Sequence, residues 1–163
     1  MMVGTLAIIT RENEASQTEV LLGKKSYRSK IGPGTWNGPG GDREGRESLE
    51  RCVQRETSEE VDIVPDMGTA KKIAVVVFYA AGVPDYEMHC YHITAYAGMP
   101  RPTSAMIEVG WCVRDNLPVT EMLEADGRLF QRLLTLQPFR AVVYYRRRAK
   151  GLILPIEFSP FTR

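Results

Sequence analysis

Apolar and polar positions along this chain fall mostly into short runs of strand composition, interrupted by two stretches with helical periodicity. Val3–Thr10 (VGTLAIIT) and Thr18–Lys24 (TEVLLGK) are aliphatic and β-branched runs separated by a polar turn, which predicts a hairpin. Lys71–Ala80 (KKIAVVVFYA) is β-rich, and past Gly82 to Asp85 the run YEMHCYHITAYA returns as its partner in a second, longer hairpin. A proline-rich connection, Met99–Ala105, precedes a strand predicted over Val109–Asp115. FRAVVYY and GLILPIEF predict two last strands around a basic tip of Arg146, Arg147, Arg148 and Lys150. Helical spacing covers roughly Glu47 to Val61, with Leu49, Cys52, Val53 and Thr57 on the side facing the sheet and Ser48 as a plausible cap. A second helix is predicted from about Glu121 to Leu136, with Leu129, Leu133 and Leu136 as its apolar stripe.

Composition narrows the setting. At 163 residues, 44% hydrophobic and 25% charged, the chain is long enough for one well-filled core and short for two, so one domain over residues 1–163 is expected. A net charge of +1 supplies no global field for long nucleic acid or an anionic membrane, and neither is expected as a partner. A small anionic substrate has to be attracted locally. Three cysteines, Cys52, Cys90 and Cys112, are too few and wrongly spaced for a disulfide framework or a zinc site, and an odd count suits a reducing compartment. With no run of about 18 apolar residues and no secretory-type start, the expected location is cytoplasmic. The Gly23-Lys24 pair does not make a phosphate-binding P-loop, because Thr18 and Lys25 occupy the positions that need glycine and a hydroxyl. His89 and His92, three apart in a strand, point to opposite faces and cannot share a metal.

The chemistry concentrates between Gly41 and Ile63. Glu56, Glu59 and Glu60 stand at i, i+3 and i+4, within roughly one 100° arc of a helix. Mg²⁺ takes oxygen ligands, one or two of them carboxylates, and keeps positions for water and phosphate. Such an arc can hold a metal against a polyphosphate, although acidic runs also serve as solvated helix faces. Arg55 can orient a carboxylate by a bidentate pair or touch phosphate itself. Upstream, the glycine-rich segment Gly32–Gly41 (GPGTWNGPGG) runs straight into the helix, where a free carbonyl near Gly41 would complete a metal shell.

Gly41, five residues to Glu47, seven more to Arg55 and Glu56, then Glu59, Glu60 and Ile63, resembles the signature of the Nudix hydrolase family. Two positions depart from it: Thr57 replaces an aliphatic residue, and Asp62 replaces the glycine after the helix. Asp tolerates the left-handed conformation needed there better than most residues. The resemblance implies an α/β fold, the Nudix α/β/α sandwich with a mixed central sheet and the loop-helix-loop motif. It also implies hydrolysis of a phosphoric anhydride with Mg²⁺, or Mn²⁺, held by Glu56, Glu59, Glu60 and the Gly41 carbonyl. Glu108 would be a further, late metal ligand or base, and Glu47 is expected to hold Arg55 or the helix entrance. Trp36-Asn37 resembles the oxidised-purine triphosphatase branch, in which the asparagine lies in the base pocket. By the same resemblance, Thr5, Lys25, Asn37, Leu123 and Asp126 line the substrate pocket. Leu123 stands where that branch has a stacking tryptophan, and Ala125 where it has a second aspartate. The implied reaction is cleavage of a purine nucleoside triphosphate to monophosphate and pyrophosphate by a monomer or homodimer. Other nucleoside diphosphate-linked substrates, or a non-catalytic nucleotide-binding module, are the alternatives.

Overall fold

A computed structural model describes residues 1–161. Its central strand, β1 (Met2–Glu12), is buried without interruption from Gly4 to Thr10. Both of its faces are covered. Leu6 and Ile8 pack with Leu129 and Phe130, while Ala7 and Ile9 pack with Val53 and Val61. A strand enclosed on both sides needs an unbroken apolar run in place of alternation, which accounts for the LAII stretch.

One edge of β1 pairs in parallel with β7 (Val83–Ile93). The other edge is shared between two partners. Thr10 to Glu12 pair with β2 (Thr18–Lys25), forming the expected hairpin, and Gly4 to Leu6 pair with β4 (Gly40–Asp42). Beyond its contact with β1, β2 pairs with β3 (Trp36–Asn37) and β9 (Met106–Val113). On the far side the order continues through β6 (Lys71–Ala80), β10 (Phe139–Arg147) and β11 (Lys150–Pro160), the outer edge of a mixed nine-stranded sheet. The long β6–β7 hairpin is as expected. A small second sheet joins β5 (Ile63–Pro65) to β8 (Tyr96–Gly98). Helix α1 (Leu49–Val61) covers one face of the main sheet and α2 (Asp126–Leu133) the other, giving the expected α/β/α layers.

Three elements have boundaries that differ from expectation. The second helix is eight residues long, preceded by a separate turn of 3₁₀ helix at Val119–Glu121. Met122 between them is extended and buried, so seating its side chain in the core interrupts the helix. At the other end Leu136 turns to φ 59°, outside the helix, ahead of Pro138 and β10. Leu129 and Leu133 are buried as predicted, whereas Leu136 only borders the core. Strand β9 begins at Met106, three residues before the predicted start, because Met106 is buried against Gly23. The first helix starts at Leu49, two residues later than its spacing suggested, with Ser48 as its cap.

Candidate active site

Helix α1 is fixed at both ends. Ser48 Oγ accepts a hydrogen bond from Arg51 N at 3.2 Å. At the other end Asp62 adopts φ 61°, ψ 37°, and its N–H donates to the carbonyls of Thr57 and Ser58. Thr57 fits its fully buried position because its hydroxyl donates to Val53 O at 2.7 Å, leaving the methyl for the core. With Cys52, Val53, Thr57 and Val61 turned inward, the acids lie along the border with β4 and the solvent side.

Arg55 organises that border. Its Nε and Nη2 donate to both carboxylate oxygens of Glu47, at 3.2 and 2.6 Å. Nη1 donates to Glu56 at 2.7 Å and Glu59 at 3.4 Å, and Nη2 reaches Asp42 O at 2.8 Å. Hydrogen bonds from Arg55 and then from Glu44 N–H hold the Glu47 carboxyl down to about 2. Glu47 therefore anchors Arg55, as its spacing suggested. Burial raises Glu56 above the usual carboxylate range, against the pull of Arg55. Burial pushes Glu60 further, to about 7, even though Gly40 N–H donates to its Oε2 at 2.8 Å.

The three acids share a side of α1 without converging. Glu56 and Glu59 turn to Arg55 and Glu60 to the Gly40 amide, and among the described residues no three His, Cys, Asp or Glu side chains form one metal-holding group. Glu108 lies apart on β9 beside Lys24, at 4.0 Å, and is not gathered with the helix acids. The donor set nevertheless suits a hard cation. A Cβ at Gly41 would lie 2.6 Å from the Glu56 carboxylate, so only glycine leaves that carboxylate its place against the backbone. Two carboxylates and a carbonyl, all oxygen, match the small number of protein ligands Mg²⁺ takes when phosphate and water complete its shell.

The second half of the site lies toward α2. Gly38 packs against Leu6 and against Phe130 of α2, which carries the Trp36-Asn37 strand to that side. Asn37 Oδ1 accepts from Gly38 N at 2.8 Å. The loop from Ser26 closes on itself through Lys25 N to Thr35 O, 2.8 Å, and Leu123 borders it at Gly32. Leu123 O accepts from the N–H of Asp126, the first residue of α2. Asp126 is 8% exposed, and its Oδ2 has no hydrogen-bond partner. Burial pushes its carboxyl up to about 7, with Lys25 pulling the other way. Lys25 exerts the same downward pull on Glu60. One ammonium group thus stands within electrostatic reach of both the α1 acids and the α2 aspartate.

Thr5 is not part of this assembly. It lies on the face of β1 that carries Ala7 and Ile9, and its hydroxyl is 3.3 Å from Cys52 Sγ beneath α1. Leu6 and Ile8, one residue out of phase, are the side chains that face α2.

The NUDIX domain model matches residues 2–133 of the chain. The chain belongs to the Nudix hydrolase family. An oxidized purine nucleoside triphosphate hydrolase of Danio rerio is 30% identical over 136 residues, 83% of each chain. The MutT NUDIX hydrolase of Burkholderia pseudomallei superposes with a TM-score of 0.67 at 28% identity, covering 81% of this chain and 97% of that one. A MutT protein of Bacillus halodurans shares the fold with a TM-score of 0.74 over 99% of this chain and the whole of the other, at 20% identity. This Nudix hydrolase accordingly acts on phosphoric anhydride bonds, and members of the family generally use divalent metal ions.

The structure adds residues that spacing did not single out. The Tyr86 hydroxyl lies beside Gly4, and burial first, then the charge of Asp42, raises its pKa. Gly4 lacks a side chain where a Cβ would collide with that hydroxyl and with Gly41 O. Tyr145 Oη accepts from Ala125 N at 3.1 Å, fixing the residue just before Asp126. These partners come from β1, β7 and β10, and only the sheet register brings them to the site.

Proposed function

We propose that this Nudix hydrolase is a Mg²⁺-dependent pyrophosphohydrolase that cleaves purine nucleoside triphosphates, oxidised ones among them, to monophosphate and pyrophosphate. The observation that carries the reading is the pairing of an oxygen donor set at Gly41, Glu56 and Glu60 with a buried, unpartnered carboxylate oxygen at Asp126 on α2. A triphosphate would place its phosphates toward α1 and its base toward α2. The substrate class follows the name of the Danio rerio relative.

Glu56, Glu60 and the Gly41 carbonyl would hold the metal, with Glu59 at the rim. When bound, the metal neutralises charge on phosphate oxygens and activates the attacking water. Arg55 acts by position, since three carboxylates and a carbonyl already occupy its guanidinium. Glu60, near 7 before any cation arrives, is the acid best matched to exchanging a proton at neutral pH. On the base side, a protonated Asp126 both donates and accepts, and Asn37 keeps its amide nitrogen as a donor, a combination that fits a purine edge. Leu123 gives that base an apolar wall in place of a ring. The missing stack forgoes about 1–3 kcal/mol on the scale of single-strand binders.

The test is a Mg²⁺-dependent hydrolysis screen over normal and 8-oxo purine triphosphates, with products identified, on the wild type and Glu60→Gln. Monophosphate plus pyrophosphate, with a rate at least a hundredfold lower in the variant, is expected. Equal turnover of dGTP and 8-oxo-dGTP would remove the oxidised-base preference. Equal background rates in both proteins would remove the assigned acids.

A further inference from the structure

The net charge of +1 conceals a segregation. Residues 1–127 carry thirteen Lys or Arg against nineteen Asp or Glu, a net of −6, whereas residues 128–161 carry seven against the single acid Glu157, a net of +6. The basic part is α2 together with the β10–β11 hairpin, on the outer edge of the sheet.

These elements enclose a groove of about 470 Å³ between the outer side of α2 and β11. Arg128, Gln131 and Arg132 line one wall, and Leu154, Ile156 and Phe158 the other. Arg128 and Arg132 are one helical turn apart, roughly 6 Å along the axis. Phe158 is 44% exposed, and the Arg132 guanidinium lies 6.0 Å from its ring centroid. Glu124, just ahead of α2, accepts from Gly151 N at 3.3 Å and Leu152 N at 3.0 Å, so the hairpin tip is fastened to the start of the helix. Arg146, Arg147 and Lys150 stand at this tip, beyond the groove lining, and make no ion pair among the described residues. Arg148, one of the seven, is instead held by Asp85 at 2.8 and 3.0 Å. None of these side chains belongs to the site around Glu60, Lys25 and Asp126.

We propose that this groove binds single-stranded nucleic acid. A row of cations along one wall, an exposed aromatic ring on the other, and an amide at Gln131 to meet base edges are the components of a sequence-tolerant single-strand site. Concavity and the amide favour a strand over a lipid surface, which would need only charge and apolar side chains. The expectation against long nucleic acid rested on net charge, and net charge averages these two unequal segments away.

The experiment is fluorescence anisotropy of the full chain with labelled 15-mer oligo-dT and oligo-U, at 50 and 200 mM salt, beside vesicles of phosphatidylserine and phosphatidylcholine. Micromolar binding at 50 mM salt is expected. Log affinity should fall against log salt with a slope of roughly 0.7 for each phosphate neutralised, about 3 for four or five contacts. Arg128→Gln with Arg132→Gln should lower that slope by about 1.4. Phe158→Ala should weaken binding about five- to a hundredfold. Triphosphate hydrolysis should be unchanged in the arginine double variant and serves as its test of folding. If Phe158→Ala loses hydrolysis through misfolding, the arginine variant and the salt slope still decide the matter. No anisotropy change up to 100-fold above the labelled oligonucleotide's expected micromolar dissociation constant would overturn the proposal. So would oligonucleotide binding that the arginine variant leaves intact, or binding to anionic vesicles without binding to either oligonucleotide.

Discussion

Asp126 permits a prediction in which the titration of one side chain can be isolated. Its folded-state pKa of about 7 stands above its ordinary 3.8, raised by burial and only partly opposed by Lys25. The folded chain therefore keeps a proton that the unfolded chain releases throughout this interval. Stability from this group is complete below about 3.8 and declines as pH rises, with a slope near 1.4 kcal/mol per pH unit, until the folded carboxyl itself ionises near 7. Between pH 5 and pH 8 the loss amounts to about 2.5 kcal/mol. Asp126→Asn keeps the shape and removes the titration. Urea unfolding of both proteins, without added metal, should give stabilities whose difference shifts in favour of the variant by about that amount over this range. Glu60 titrates in both proteins and cancels in the difference. A gap that stays constant from pH 5 to 8 would show that Asp126 is ionised in the folded protein and that its unpartnered Oδ2 meets solvent.

The backbone around α1 offers further tests. Gly41→Ala puts a Cβ 2.6 Å from the Glu56 carboxylate. It should cut hydrolysis more than tenfold and raise the Mg²⁺ concentration for half-maximal rate, with an overpacking cost of about 1–3 kcal/mol in denaturant titration. Ser48→Ala removes the cap to Arg51 N and should cost about 1 kcal/mol without altering substrate preference. At Asp62, φ 61° disfavours a β-branched side chain, so Asp62→Val should cost about 1–2 kcal/mol. Asp62→Gly should stay within about 0.5 kcal/mol of the parent, because relief of the left-handed strain is offset by a more flexible unfolded chain.

Local spacing made α1 legible. A capping serine, an apolar face repeating every three or four residues and acids on the other side are all properties of one contiguous segment, and the structure departs from them by two residues at the start. The second helix was less legible because its limits answer to the core. Met122 is extended so that it can be buried, which splits one expected helix into a short 3₁₀ turn and α2. The electrostatic influence of Lys25 on both Glu60 and Asp126 was invisible for a related reason. Lys25 follows a register shift of β2 against β9, which no local pattern announces.

Thr5 shows most sharply where a motif carried over from relatives yields to the pattern of this chain. Side chains alternate strictly along a strand, so a position is assigned to a face together with all its neighbours. Leu6 and Ile8 fill the cluster under α2 with Leu129 and Phe130, and Ala7 and Ile9 fill the one under α1 with Val53. The bulkier pair lies beneath α2, while the smaller Ala7 is on the side of α1. Turning Thr5 toward Asp126 would require the whole LAII run to slip by one residue, exchanging Leu6 for Ala7 beneath α2 and breaking eight parallel pairings with β7. Losing the volume of a buried leucine in such an exchange costs about 2–5 kcal/mol, more than one hydroxyl contact to a nucleotide returns, at about 0.5–1.5 kcal/mol. The core pattern therefore fixes Thr5 against Cys52, and the α2 side of β1 presents Leu6, packed at Gly38 beside Phe130.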